Sequence, residues 1–106
     1  MKLHKIEAGT FHCDGGAMFG VVPKKAWRKR YPCNDENFCK LAMRCLLIDT
    51  DGKLILIDTG AGTKQMDYLK YFDFSDIVDF DKALNQLGYS REKVTDVVHT
   101  HLHFDH

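Results

Sequence analysis

The sequence has 106 residues, 44% of them hydrophobic and 11% aromatic, which excludes a disordered chain and allows one modest core. Fifteen Lys and Arg balance fifteen Asp and Glu, so no net positive field favours a nucleic acid or an anionic membrane as partner. The opening residues Met1 to Glu7 hold neither an apolar signal core nor a small-residue cleavage site, and no later stretch approaches the roughly 18 apolar residues of a bilayer span. A soluble, cytoplasmic protein is therefore expected, with its partner to be read from a site.

Leu3 to Phe11 predicts an opening strand, Asp14-Gly15-Gly16 a turn, and Gly20 a loop-like continuation. Pro23 can start a short helix over Lys24 to Arg30, which Pro32 stops. Two apolar runs, Leu41 to Ile48 and Leu54 to Ile57, flank Asp51-Gly52, the dipeptide a tight hairpin turn prefers. The second run lacks polar alternation and predicts a strand covered on both faces. Asp79 to Leu87 predicts a helix with Phe80, Ala83, Leu84 and Leu87 on one face, ended by Gly88, and Ser90 can cap a further turn through Lys93. Val94 to His99 follows as a short β-branched strand, leaving the residues beyond it at a strand's carboxyl end.

Those last residues carry the chemistry. Three of the six histidines fall in His101-Leu102-His103-Phe104-Asp105-His106 together with an aspartate, four donors suited to a borderline metal such as zinc. In an extended segment His101, His103 and Asp105 project to one side, and a turn at Asp105-His106 brings His106 back toward them. Four donors crowd a single catalytic ion, which usually keeps three protein ligands and an open position, so two metals sharing a hydroxide are the simpler reading. The competing readings are solvated loop histidines and a structural metal site. The second is disfavoured because structural zinc prefers cysteine-rich sets at wider spacing.

Thr100 to His106 is similar to the T-H-x-H-x-D-H signature of the metallo-β-lactamase superfamily, and Leu56-Ile57-Asp58-Thr59-Gly60 resembles that family's upstream D-T-G segment. The resemblance covers about Leu41 to His106; Asp14 to Gly20 more loosely resembles lactonase-like members. It implies an α/β fold in which residues 1–106 form the N-terminal half of an αββα sandwich, part of a single domain whose C-terminal half lies outside the sequence. It implies His101 and His103 as ligands of one metal and Asp105 and His106 as ligands of a second, with Asp105 also catalytic in steering the water and the leaving group. Asp58 becomes a carboxylate that accepts the ring N–H of a ligand histidine; as a bare residue it is equally a turn aspartate at a strand exit.

The function implied is a metallo-hydrolase with two Zn2+ ions, whose bridging hydroxide attacks an ester, lactone or thioester carbonyl of a small-molecule substrate; a lactonase is the preferred member. Iron and manganese also suit the donors. Alternatives are a mononuclear iron enzyme oxidising sulfur compounds, another redox member, or a non-catalytic metal-binding module; redox members with two irons usually place Glu where this chain has His103. Phosphodiester cleavage also occurs in the superfamily. Its remaining ligands stand downstream of the signature, so residues 1–106 alone are expected to bind metal weakly and to turn over nothing.

Other signals point to structure. The cysteines Cys13, Cys33, Cys39 and Cys45 lack a CxxC pair and read as free thiols. The cations Lys24, Lys25, Arg28, Lys29 and Arg30 read as a solvated helix face with Trp27 packed inward. Gly60-Ala61-Gly62-Thr63-Lys64 lacks the Walker spacing and reads as a glycine-rich turn. His4, His12 and His99 stand outside the cluster as surface or strand histidines, while Met18 and Phe19 either line a substrate entrance or pack into the core.

Overall fold

A computed structural model describes residues 1–64 and 66–106. Four strands, β1 (Lys2–Asp14), β2 (Phe38–Thr50), β3 (Lys53–Ile57) and β4 (Asp96–Val98), form one mixed sheet in the order β1-β2-β3-β4. The first three pair antiparallel, and β4 runs parallel to β3. The short helices are α1 (Gly15–Phe19), α2 (Lys24–Trp27), α3 (Met66–Leu69) and α4 (Phe80–Gln86), with 3-10 turns at Lys70–Phe72 and Arg91–Lys93. This is the α/β architecture expected, with a sheet that only the last strand makes mixed.

Along β2 the odd positions Cys39, Met43, Cys45 and Leu47 are buried, as a period of two requires. β1 faces them with even residues first, Ile6 and Ala8, and then with odd ones, Phe11 and Cys13. The phase changes because Glu7 pairs with Arg44 and Gly9 with Met43, leaving Ala8 as the extra residue of a bulge. Without it, everything beyond Gly9 would turn its apolar side to solvent.

The β2–β3 hairpin turns at Asp51 and Gly52, both with positive φ (47° and 78°), the pairing that matches the twist of the flanking strands. On the inner face Leu54 and Leu56 join Leu47 and the helix residue Leu84 in the core. The expected covering of both faces of β3 is only half met, because Ile55 and Ile57 are half-buried and their outer-face neighbours Leu46 and Val98 remain 36% and 47% exposed. The physical reason is that α4 supplies a layer on the inner face alone.

α4 begins where Asp79 accepts hydrogen bonds from the Asp81 and Lys82 amides, at 3.0 and 3.3 Å, and ends in a Schellman motif. There Gly88, with φ 88°, donates to the Asn85 carbonyl, and the Tyr89 amide donates to that of Leu84. The turn through Lys93 also forms, although the Ser90 side chain makes no capping bond and only its carbonyl serves.

Two expectations near the N-terminus change. Residues 15–19 are helical rather than a loop, because Asp14 caps them by accepting from the Ala17 amide at 3.1 Å. The helix expected over Lys24 to Arg30 stops at Trp27, after which Arg30 and Tyr31 both donate to the Trp27 carbonyl and Pro32 biases Tyr31 away from helical backbone. Trp27 is buried as expected, under Phe19 and against Gly15, while Met18 stays exposed. The four cysteines are free thiols. Among the described residues no helix is long and apolar enough to cross a membrane.

Candidate metal centre

The carboxyl ends of the parallel neighbours β3 and β4 lie side by side, the place where open α/β sheets gather ligands. The loop leaving β3 supplies Asp58, Thr59 and Gly60; the loop leaving β4 supplies Thr100 to His106. Asp58 has φ 62°, a left-handed conformation aspartate tolerates better than most residues, and its amide still pairs with the Val98 carbonyl at 2.8 Å. Gly60, with φ 71°, is strained for a larger residue, whose Cβ would also press on that of Ala8 at 3.1 Å.

Asp58 is the buried polar residue of the core, 6% exposed, and both its oxygens are occupied. Oδ1 accepts from the Thr100 amide at 2.9 Å, the Thr100 hydroxyl lies 2.9 Å from Oδ2, and His106 Nδ1 meets Oδ2 at 3.0 Å. Burial by itself raises the pKa of this carboxyl. The hydrogen bonds from His106 and Thr100, with the attraction of the His106 ring, outweigh it and hold the value at about 2. The aspartate is thus an anion at any ordinary pH, and it fixes the proton of His106 on Nδ1.

That leaves His106 Nε2 facing outward, 3.4 Å from Asp105 Oδ2. The His101 ring lies 4.0 Å from the His106 ring and 4.6 Å from that of His103, centroid to centroid, and His101 Nδ1 contacts the Thr100 hydroxyl at 3.0 Å. The four sequence candidates therefore sit together, with Asp58 directly behind them. The turn expected at Asp105-His106 is closed by the His106 amide on the His103 carbonyl, and the His106 carbonyl accepts from Thr59 and Gly60. His12 is engaged elsewhere, at 3.1 Å from the Asp73 carbonyl.

Phe104, which sequence reasoning passed over, anchors the loop. Its ring stacks on Phe72 at 4.2 Å and meets Phe11 edge-on at 5.3 Å, so one residue inside the histidine run is held by the core while His101 and His103 before it stay exposed. The signal was an aromatic residue inside a polar run; its partners in residues 70–74 had no recognisable pattern. Thr100, which the sequence shows only as the first residue of the signature, joins Asp58 to His101 through its hydroxyl.

Three imidazoles and a carboxylate form a donor set of the right chemistry for zinc or a similar borderline metal, and Asp58 meets the usual need of a metal-binding imidazole for a partner on its other nitrogen. Among the described residues no group of three or more His, Cys, Asp or Glu side chains is already disposed to hold a metal ion.

A family model described as the metallo-beta-lactamase superfamily matches residues 44–106. The chain belongs to this superfamily. Among solved structures, a probable metal-dependent hydrolase from Staphylococcus aureus is 34% identical, with a TM-score of 0.89 over 99% of this chain and 39% of its own. AidC, a dizinc quorum-quenching lactonase in complex with an N-acyl homoserine product, matches at 25% identity and TM-score 0.64, covering 98% of this chain and 34% of its own. A quorum-quenching N-acyl homoserine lactone lactonase matches with the same identity and TM-score, over 99% of this chain and 39% of its own. No curated protein matches. The chain thus spans 39% of the length of the S. aureus hydrolase it resembles. The comparisons give it the metallo-β-lactamase fold, with a probable metal-dependent hydrolase and two lactonases among its structural neighbours.

Proposed function

We propose that this chain is the N-terminal half of a metallo-β-lactamase domain that hydrolyses a small lactone, or a related ester or thioester, with two zinc ions. The observation that carries the reading is the Asp58–His106 contact at 3.0 Å, which presents His106 Nε2 beside the Asp105 carboxylate at the carboxyl ends of two parallel strands. His101 and His103 form the donor pair of one metal, and Asp105 and His106 that of the other. Zinc held there would acidify a water and polarise the substrate carbonyl.

The chain's own residues do the positioning. Asp58 sets the tautomer of His106, the Thr100 hydroxyl orients His101, and Phe104 ties the loop to the core. Asp105, 18% exposed and next to His106, acts as the catalytic carboxylate that takes a proton from the attacking water and delivers it toward the leaving alkoxide. The remainder of the domain covers the outer face of the sheet, where Leu46 and Val98 are exposed, and completes each metal's ligands.

The test is metal content of the purified full-length protein together with turnover of a panel of lactones, esters and thioesters. About two zinc ions per chain with lactone opening is the expected result. One iron per chain with oxygen consumption moves the protein to an oxidative reaction and overturns the proposal.

A further inference from the structure

Away from the metal centre, three of the four cysteines line up across the sheet. Cys13 of β1 pairs with Cys39 of β2, and on the other side of Cys39 an isolated antiparallel bridge sets Cys33 opposite it. The flanking residues carry the hydrogen bond, the Asn34 amide donating to the Phe38 carbonyl at 3.0 Å, so Cys33 and Cys39 form a non-hydrogen-bonded pair. Facing Cα atoms at such a pair are about 4.5 Å apart with side chains on the same face, inside the roughly 4.4–6.8 Å that a disulfide spans.

The two thiols differ in access. Cys39 is 0% exposed, Cys13 8% and Cys45 4%, whereas Cys33 is half-buried and lines an open groove of about 440 Å³ with Lys24 and Arg28. A small oxidant therefore meets Cys33 first and finds Cys39 directly behind it. Cys33 Sγ donates to Asn37 Oδ1 at 3.6 Å, while Cys39 Sγ donates to the Tyr31 carbonyl at 3.5 Å and lies 3.9 Å from the Asn37 carbonyl. Asn37, held at φ 69°, also reaches from Nδ2 to the Asp14 oxygen that caps α1. The pair is thus connected to the start of the helix that follows β1.

We propose that Cys33 and Cys39 are a redox-active dithiol that peroxide closes into a disulfide. The Cys33 sulfur attacks one peroxide oxygen, the O–O bond breaks, and water leaves with a sulfenic acid on Cys33. The Cys39 sulfur then attacks that sulfur, the S–O bond breaks, and the departing hydroxide takes the Cys39 proton as a second water. Two thiols are oxidised and one peroxide is reduced to two waters. The bridge removes the Cys33 S–H from Asn37 and the Cys39 S–H from the Tyr31 carbonyl, and fixes the loop between the two cysteines.

The experiment treats the purified protein with hydrogen peroxide under non-reducing conditions, followed by thiol titration and peptide mapping by mass spectrometry. Loss of the Cys33 and Cys39 thiols with Cys13 and Cys45 still reduced, a mass lower by two hydrogens, a single Cys33–Cys39 cross-link and reversal by dithiothreitol are expected. Cys33→Ser, at a half-buried site, should fold normally and abolish the cross-link. Survival of the Cys33 and Cys39 thiols, a Cys13–Cys39 bridge in its place, or the same paired loss in Cys33→Ser would each overturn the proposal.

Discussion

Replacing Asp58 with asparagine preserves the shape of the side chain and removes one of its two acceptors. In the native site the Thr100 amide and hydroxyl and the His106 Nδ1 proton all point at this carboxylate. An asparagine that keeps its carbonyl oxygen toward Thr100 turns its NH2 group to His106 Nδ1, donor against donor. The imidazole escapes the clash by moving its proton to Nε2, the nitrogen 3.4 Å from Asp105, and so withdraws the lone pair a metal would use. Loss of a hydrogen bond to a charged group costs about 1.5–3 kcal/mol. Removing the partner behind a metal-binding histidine lowers metal affinity by about 10–100-fold, and Asp58→Asn is expected to weaken zinc binding within that range while the protein still unfolds cooperatively. The assay is competition for zinc against a chromophoric chelator, paired with nitrogen-15 spectra of the histidine rings to read the His106 tautomer. A folded variant whose zinc affinity stays within about threefold of the parent, or whose His106 proton remains on Nδ1, refutes the reasoning.

Three further outcomes follow from the packing. Leu47 is fully buried among Ile6, Cys45 and Leu56, so Leu47→Ala should cost about 2–5 kcal/mol, visible as a lower urea midpoint with an unchanged slope. At Gly15 an added methyl would sit on the Trp27 ring, 2.7 Å from Cζ2 and 2.8 Å from Cζ3; Gly15→Ala should destabilise by about 1–3 kcal/mol and shift the tryptophan emission, and an unchanged melting temperature would show that the ring moves freely. Burial, with the charge of Asp58 adding to it, pushes the Cys45 thiol up from 9.0 to about 11, so the folded state holds this proton more tightly than the unfolded chain. Its contribution is complete below pH 9 and is lost as pH rises through about 11, a fall of about 3 kcal/mol that Cys45→Val should remove from the pH profile of urea unfolding.

Much of the frame was legible in the residues. The Asp51-Gly52 hairpin between two apolar runs and the helix ended by Gly88 each rest on local chemistry acting within a few residues, and each appears where expected. The α1 helix was hidden because two glycines read as a turn. Its existence depends on an aspartate cap that any Asp-Gly-Gly turn could also use and on a tryptophan a dozen residues later filling the space a side chain would take. The bulge at Ala8 was equally invisible, since only the partner strand reveals that one residue is unpaired.

At the site the donor types were evident from His101, His103, Asp105 and His106, because metal chemistry demands those residues at short spacing. Asp58 was readable only as one of two equal possibilities, a turn residue or a partner of a ligand, and it took the parallel pairing of β3 with β4 to set it 3.0 Å from a histidine 48 residues later. Phe104 could not be assigned at all until Phe72 and Phe11 came beneath it. The Asp51-Gly52 turn, the end of α4 at Gly88 and the crowding of metal-competent side chains into residues 101–106 lie within the reach of neighbouring residues and needed no fold to be read. The tautomer of His106, the depressed pKa of Asp58 and the anchoring of the histidine loop were decided only by tertiary structure, because each arises from groups that the chain holds far apart until the strands align.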